Sequence, residues 1–127
     1  MTSELDTEIG TIEQPKLSAG SVIVKEITIE PPKEGSKAKL VVLHCLHPEQ
    51  DELLKLSNVK IKKVQGNNET IKKDALWWNL DKEGKIRKGS ATAQCLNFYN
   101  KKTLEEFKNS SIQTEADANG WLCIKAY

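Results

Sequence analysis

The sequence predicts a single, mainly β domain: short strands closing into a small barrel, with one or two short helices ahead of a C-terminal β-hairpin. Three observations predict it. Several stretches alternate apolar and polar residues with the period of two that a half-buried strand requires, as at Val59-Lys60-Ile61-Lys62. Turn signals punctuate them, among them Pro31-Pro32, Gly66-Asn67-Asn68 and Asn119-Gly120. The clearest helical spacing, Ala93, Leu96, Phe98 and Tyr99, falls just before the last two strand candidates.

Residues 1–16 show no apolar period and end near Pro15, which reads as a flexible acidic tail ahead of a domain at 17–127. In residues 21–29, Val22 and Val24 share one face and Ile27 and Ile29 the other. The inward face switches between Lys25 and Glu26, which predicts a bulge in a long strand serving two walls. Residues 39–46 are almost continuously apolar, so this strand is buried on both faces until His47-Pro48 stops it. Residues 48–56 fit a helical turn, with Leu53, Leu54 and Leu56 near helical spacing and acids in the first turn. Residues 58–64 alternate cleanly, and residues 70–80 return as the second arm of a hairpin.

Ser90 is a good N-cap for the helix that Asn100 ends. Thr103-Leu-Glu-Glu106 fits a capping box and predicts a second short helix. Residues 111–118 and 121–127, joined by Asn119-Gly120, form the closing hairpin. The predicted core comprises Val22, Ile27, Leu40, Val42, Val59, Ile61, Trp78, Leu96 and Leu122. Five strands with a helix before the last two match an oligonucleotide-binding type of five-stranded Greek-key barrel.

The totals bound the function. The chain has 127 residues, enough for one core, and no run approaches the roughly 20 apolar residues of a membrane helix. The N-terminus carries no apolar stretch of the signal-peptide kind. Cysteines at 45, 95 and 123 make an odd, scattered set of three, which points to an intracellular, reducing home rather than a disulfide framework.

The net charge of +1 hides an asymmetry: residues 1–15 carry −4, leaving +5 on the rest. Residues 58–88 alone carry nine basic residues against four acids. An anionic partner and a merely solvated lysine face both fit such a count. The split predicts that the acidic segment screens the basic face when no ligand is bound.

The stretch 71–90 holds two of the three tryptophans and the only arginine. Leu76, Trp78 and Leu80 share one strand face, Trp77 and Asn79 the other, so Trp78 is the core candidate and Trp77 the exposed one. A bulge near Asp74 exchanges the two roles. An exposed indole beside a cationic loop is what single-stranded nucleic acid requires: a platform for base stacking and charges for phosphates. The candidate binding residues are Lys60, Lys62, Lys72, Trp77, Lys82, Lys85, Arg87, Lys88, Trp121 and Tyr127. A Trp77 packed under a loop is the structural alternative.

The order of these motifs resembles phage- and virus-type single-stranded DNA-binding proteins built on the same barrel. The resemblance spans roughly 17–127. It rests on Leu17-x-Ala-Gly20 before the first strand, Leu76-Trp-Trp-Asn-Leu80 before a basic loop, Lys88-Gly-Ser90 opening a helix, Thr103-Leu-Glu-Glu, and the final Asn-Gly hairpin. It implies binding of single strands without sequence preference, in replication or recombination, in the cytoplasm or a host's cytoplasm. DNA versus RNA, self-association and protein partners docking on the acidic segment stay open. That segment is N-terminal here, whereas the bacterial arrangement places it at the C-terminus.

Catalytic and metal chemistry find little support. His44-Cys45-Leu46-His47 puts neighbouring ligands on opposite strand faces, and no Cys-x-x-Cys occurs, so no metal or other cofactor is expected. Cys45 beside a histidine is the one local nucleophile candidate, and a buried structural thiol explains it better. Glu105 and Glu106 do not converge, and no phosphate loop is present. The chain is therefore read as a non-enzyme. The alternative to nucleic-acid binding is a protein-interaction module, an inhibitor or adaptor, using Trp77, Trp121 and Tyr127 as anchors.

Overall fold

A computed structural model describes residues 17–127; the acidic segment 1–16, and with it the expected tail, lies outside the described residues. The fold is mainly β. Among the described residues, seven strands form one curled sheet in the order β3-β2-β1-β6-β7-β4-β5, with a helix α1 (Ala91–Phe98) and one 3₁₀ turn (Leu104–Phe107). In chain order the strands are β1 (Ser21–Glu30), β2 (Leu40–Leu46), β3 (Leu54–Leu56), β4 (Asn58–Gln65), β5 (Asn68–Ala75), β6 (Ser111–Ala116) and β7 (Leu122–Ala126). All pairs are antiparallel except β4 with β7. No helix among the described residues is long and apolar enough to cross a membrane.

β1 carries the expected bulge. Its register against β2 shifts between Val24 and Glu26, leaving Lys25 as the extra residue. Ahead of it, Ser21 and Val22 pair with β6 and Ile23 with both β6 and β2; from Val24 to Glu30 the strand partner is β2, while Val24 also bonds the backbone of Asn109 and Ser110. β2 is buried from Val41 to Cys45 on both faces, as its apolar run requires.

Three elements differ from the sequence reading, each because a tertiary partner overrides a local pattern. Residues 48–56 form a turn and then β3, not a helical turn. Leu54 and Leu56 also stand two apart, and β3 pairs with the free edge of β2 at Cys45 and Leu43, satisfying backbone groups a helix would strand. The second hairpin arm stops at Ala75. Residues 76–78 leave β4 and bond to two elements at once: Leu76 N donates to Ser57 O (2.8 Å), Val41 N to Leu76 O (2.8 Å) and Trp78 N to Lys39 O (2.8 Å). This seam ties β2 back to the β3–β4 run. Leu80, expected inside, is 39% exposed in a small bridge with Ile86. The Thr103 capping box yields only a 3₁₀ turn. Thr103 makes no side-chain cap bond, and Glu106 accepts instead from Lys102 N (2.6 Å).

The core runs through Val22, Val24, Leu43, Leu56, Val59, Ile61, Leu96, Phe107, Ile112 and Ile124. Of the expected members, Val42 is also buried, whereas Leu40 is only half-buried. Ile27, Trp78 and Leu122 pack against the core while staying partly open. Phe107, 1% exposed, is the largest fully buried side chain; its truncation to alanine costs about 3–5 kcal/mol by transfer and cavity terms.

Candidate nucleic-acid interface

Ser90 begins α1 by accepting from Ala93 N at its Oγ (3.1 Å), and Gly89 (φ 86°) supplies the left-handed step before it. Cys95 and Leu96 point into the core. The helix ends in a Schellman motif. Asn100 takes φ 56°, its N–H bonds Asn97 O (3.1 Å), and Lys101 N bonds Leu96 O (2.8 Å). This reversal folds Lys101 and Lys102 back beside Leu96.

The opposite wall comes from residues 79–88. Asp81 organises the turn, its Oδ1 accepting from Glu83 N (2.8 Å) and Lys85 N (3.0 Å); these bonds, Lys85's foremost, hold its carboxyl below the ordinary value. Arg87 N donates to Asn79 O (3.0 Å), which closes the loop.

Between the walls lies an open groove of about 610 Å³. Trp78, Ile86, Leu96 and Leu104 form its apolar surface, and Lys85, Lys88, Lys101 and Lys102 stand around it. Among the described residues, no carboxylate lies within ion-pair distance of Lys88, Lys101 or Lys102. Lys85 has only a loose, exposed contact with Glu83 (3.8 Å). A half-buried indole beside unpaired ammonium groups can stack a base and neutralise its phosphates.

The ten sequence candidates do not converge on one face. Lys85 and Lys88 line the groove. Lys82 and Arg87 are exposed on the same loop. Trp77, at 36% exposed, does not line the groove; it bridges Leu40, and its carbonyl accepts from Thr92 Oγ1 (2.9 Å). Trp78, assigned to the core, instead shows one side to the core and another to the groove. Lys60 donates to Ala116 O (2.9 Å) beside Glu115 (3.8 Å), and Lys62 pairs with Glu69 (2.9 Å), so both cations are already engaged. Lys72 lies on β5 opposite Ile61, on the other face of the hairpin from Lys60 and Lys62. Trp121 is 56% exposed after the last turn. Tyr127 donates its hydroxyl to Glu115 and lies under Lys125 (4.9 Å).

Lys101 and Lys102 line the groove and were not among the sequence candidates. The available signal was Asn100, a residue type that tolerates a left-handed helix end, followed by two lysines.

Both histidines are held by hydrogen bonds within the fold. Thr28 gives its proton to Glu30 (2.6 Å), so His44 Nε2 donates to Thr28 Oγ1 (2.8 Å). His47 Nδ1 accepts from Glu49 N (3.0 Å), which leaves Nε2 to donate to Ser18 O (2.8 Å). Cys45 is fully buried, and burial pushes its thiol up to about 12.

No family model, curated protein or solved structure matches this chain.

Proposed function

We propose that this protein binds single-stranded DNA or RNA without strong sequence preference, as phage- and virus-type single-stranded DNA-binding proteins do in replication or recombination. The observation that carries the reading is the groove: Trp78 in its apolar lining and three lysines around it with no carboxylate partner among the described residues. The strand pairing supports the oligonucleotide-binding type of five-stranded barrel. With β3 and β4 taken as one run bent at Ser57, each of β1, β2, β3–β4, β6 and β7 bonds to two others, and β5 is an added arm. Helix α1 then falls between the third and fourth strands.

The test is retention of the full chain on single-stranded DNA cellulose against duplex cellulose. Retention on the single strand, lost at high salt, is expected. Equal or stronger retention by blunt duplex contradicts the reading. One observation favours a protein-interaction module instead: Ile23 and Leu46 are paired across β1 and β2 and both exposed, at 42% and 39%. That reading leads if no oligonucleotide is retained at low salt.

A further inference from the structure

The β4–β5 hairpin is left unexplained by the groove. Its strands are eight residues each, joined by a two-residue turn that Gly66 opens with φ 60°, the position type II′ hairpins reserve for glycine. From Lys62 to Lys73 every residue is exposed except Lys63, which is half-buried. The outer half is thus a two-stranded ribbon standing clear of the core.

Its two faces differ. Lys60, Lys62 and Lys73 lie on one, and each is engaged, by Ala116 O and Glu115, by Glu69 and by Asp117 respectively. On the other, Lys63 sits opposite Thr70 and Lys72 opposite Ile61, so the two lysines are diagonal neighbours. Neither has a carboxylate within ion-pair distance among the described residues. This second face continues inward to Val59 and Ile61, where β4 and β5 meet α1, a wall of the groove. The tip carries the amide side chains of Gln65, Asn67 and Asn68, and residues 58–75 contain no aromatic.

That composition does not suit more single strand, which needs stacking surfaces. It suits a paired helix, whose bases are already stacked. Lysines take its phosphates, amides can hydrogen-bond base edges, and a major groove about 12 Å wide admits a two-stranded ribbon. We propose that the Lys63–Lys72 face and amide tip of this hairpin contact double-stranded nucleic acid, so that the protein binds at junctions between single and double strand. This rests on the groove reading for the single-stranded side.

The experiment uses the full chain and three labelled ligands: a single strand, a blunt duplex, and that duplex bearing the single strand as an overhang. Fluorescence anisotropy should show the overhang ligand bound about tenfold or more tighter than the single strand, because the second contact is intramolecular. Its log–log salt slope should steepen by about 0.9 per duplex phosphate engaged. Lys63→Gln/Lys72→Gln should abolish this difference while lowering single-strand affinity far less than overhang affinity, and Gln65→Ala/Asn68→Ala should reduce the difference. Equal affinity for overhang and single strand overturns the proposal. So does a loss from Lys63→Gln/Lys72→Gln that is the same for both ligands, which makes the hairpin an extension of the single-strand path. Duplex binding that depends on Lys63 and Lys72 without single-strand binding upholds the hairpin and removes the groove reading. Binding of neither removes both.

Discussion

Replacing Trp78 tests packing and the proposed ligand contact separately, because the indole touches both the core and the groove. It packs against the core on one side and lines the groove on the other. A fully buried Trp→Ala change costs about 3–5 kcal/mol; with part of the ring open, Trp78→Ala should cost about 2–3 kcal/mol. At this chain length that lowers Tm by roughly 6–18 °C. A stacked base adds about 1–3 kcal/mol of binding, so affinity for a single strand should fall roughly five- to a hundredfold. Trp78→Leu isolates the second effect. It keeps most of the apolar contact, so Tm should move by only a few degrees while binding drops as far. Trp77→Ala is the control, since Trp77 does not line the groove, and its binding should match the parent. Thermal unfolding and anisotropy titration on the same samples give both numbers. A folded Trp78→Leu protein that binds as tightly as the parent would refute stacking in the groove. A loss confined to Trp77→Ala would move the ligand to the other face.

Lys101→Glu/Lys102→Glu should weaken single-strand binding most at low salt and flatten the log–log slope by about 0.7 per phosphate lost, whereas Lys60→Gln/Lys62→Gln should change it little; salt titrations compare them. Asp117 is held down to about 2, from an ordinary 3.8, chiefly by its bond to Lys73 Nζ (2.8 Å), with backbone donors Trp121 and Asn119 adding to it. A depressed carboxyl contributes stability that is present above its unfolded value and lost as pH falls from about 4 towards 2. Acid unfolding followed by tryptophan fluorescence should therefore be less steep in Asp117→Asn across that window. Burial pushes the Cys45 and Cys95 thiols up to about 12 and also raises Cys123. A thiol reagent at pH 8 should label none of the three quickly in native protein and all three in denaturant.

Much of the curled sheet was legible because its strands obey one period without competition. Val59 and Ile61 alternate with lysines and are buried, and the switch after Val24 marked the bulge in β1. Ser90 was legible as a cap because its chemistry is local. The stretch 53–56 was not, since three leucines in four positions fit either period, and the open edge of β2 decided between them. Residues 76–78 hid a change of partner inside an unbroken alternation, so hydrogen bonds to β2, invisible in the local pattern, moved Trp78 to the groove. Lys60 and Lys62 looked alike from the sequence. Only folding brings Glu115 and Ala116 to the first, while Glu69 reaches the second across the hairpin.

The three-residue seam at 76–78 has a kinetic consequence. Its bonds to Lys39, Val41 and Ser57 join the start of β2 to the chain just beyond the β4–β5 hairpin, a closure between stretches far apart in sequence. The loop entropy of that closure precedes any reward from it, which places the seam late on the folding route. Weakening it, as by Leu76→Ala, should quicken unfolding far more than it slows folding, and the two arms of a chevron plot separate these rates. A slowed folding arm with unchanged unfolding would put the seam in the nucleus instead. The segment that shapes the groove is then also the latch that sets how long the curled sheet lasts once made.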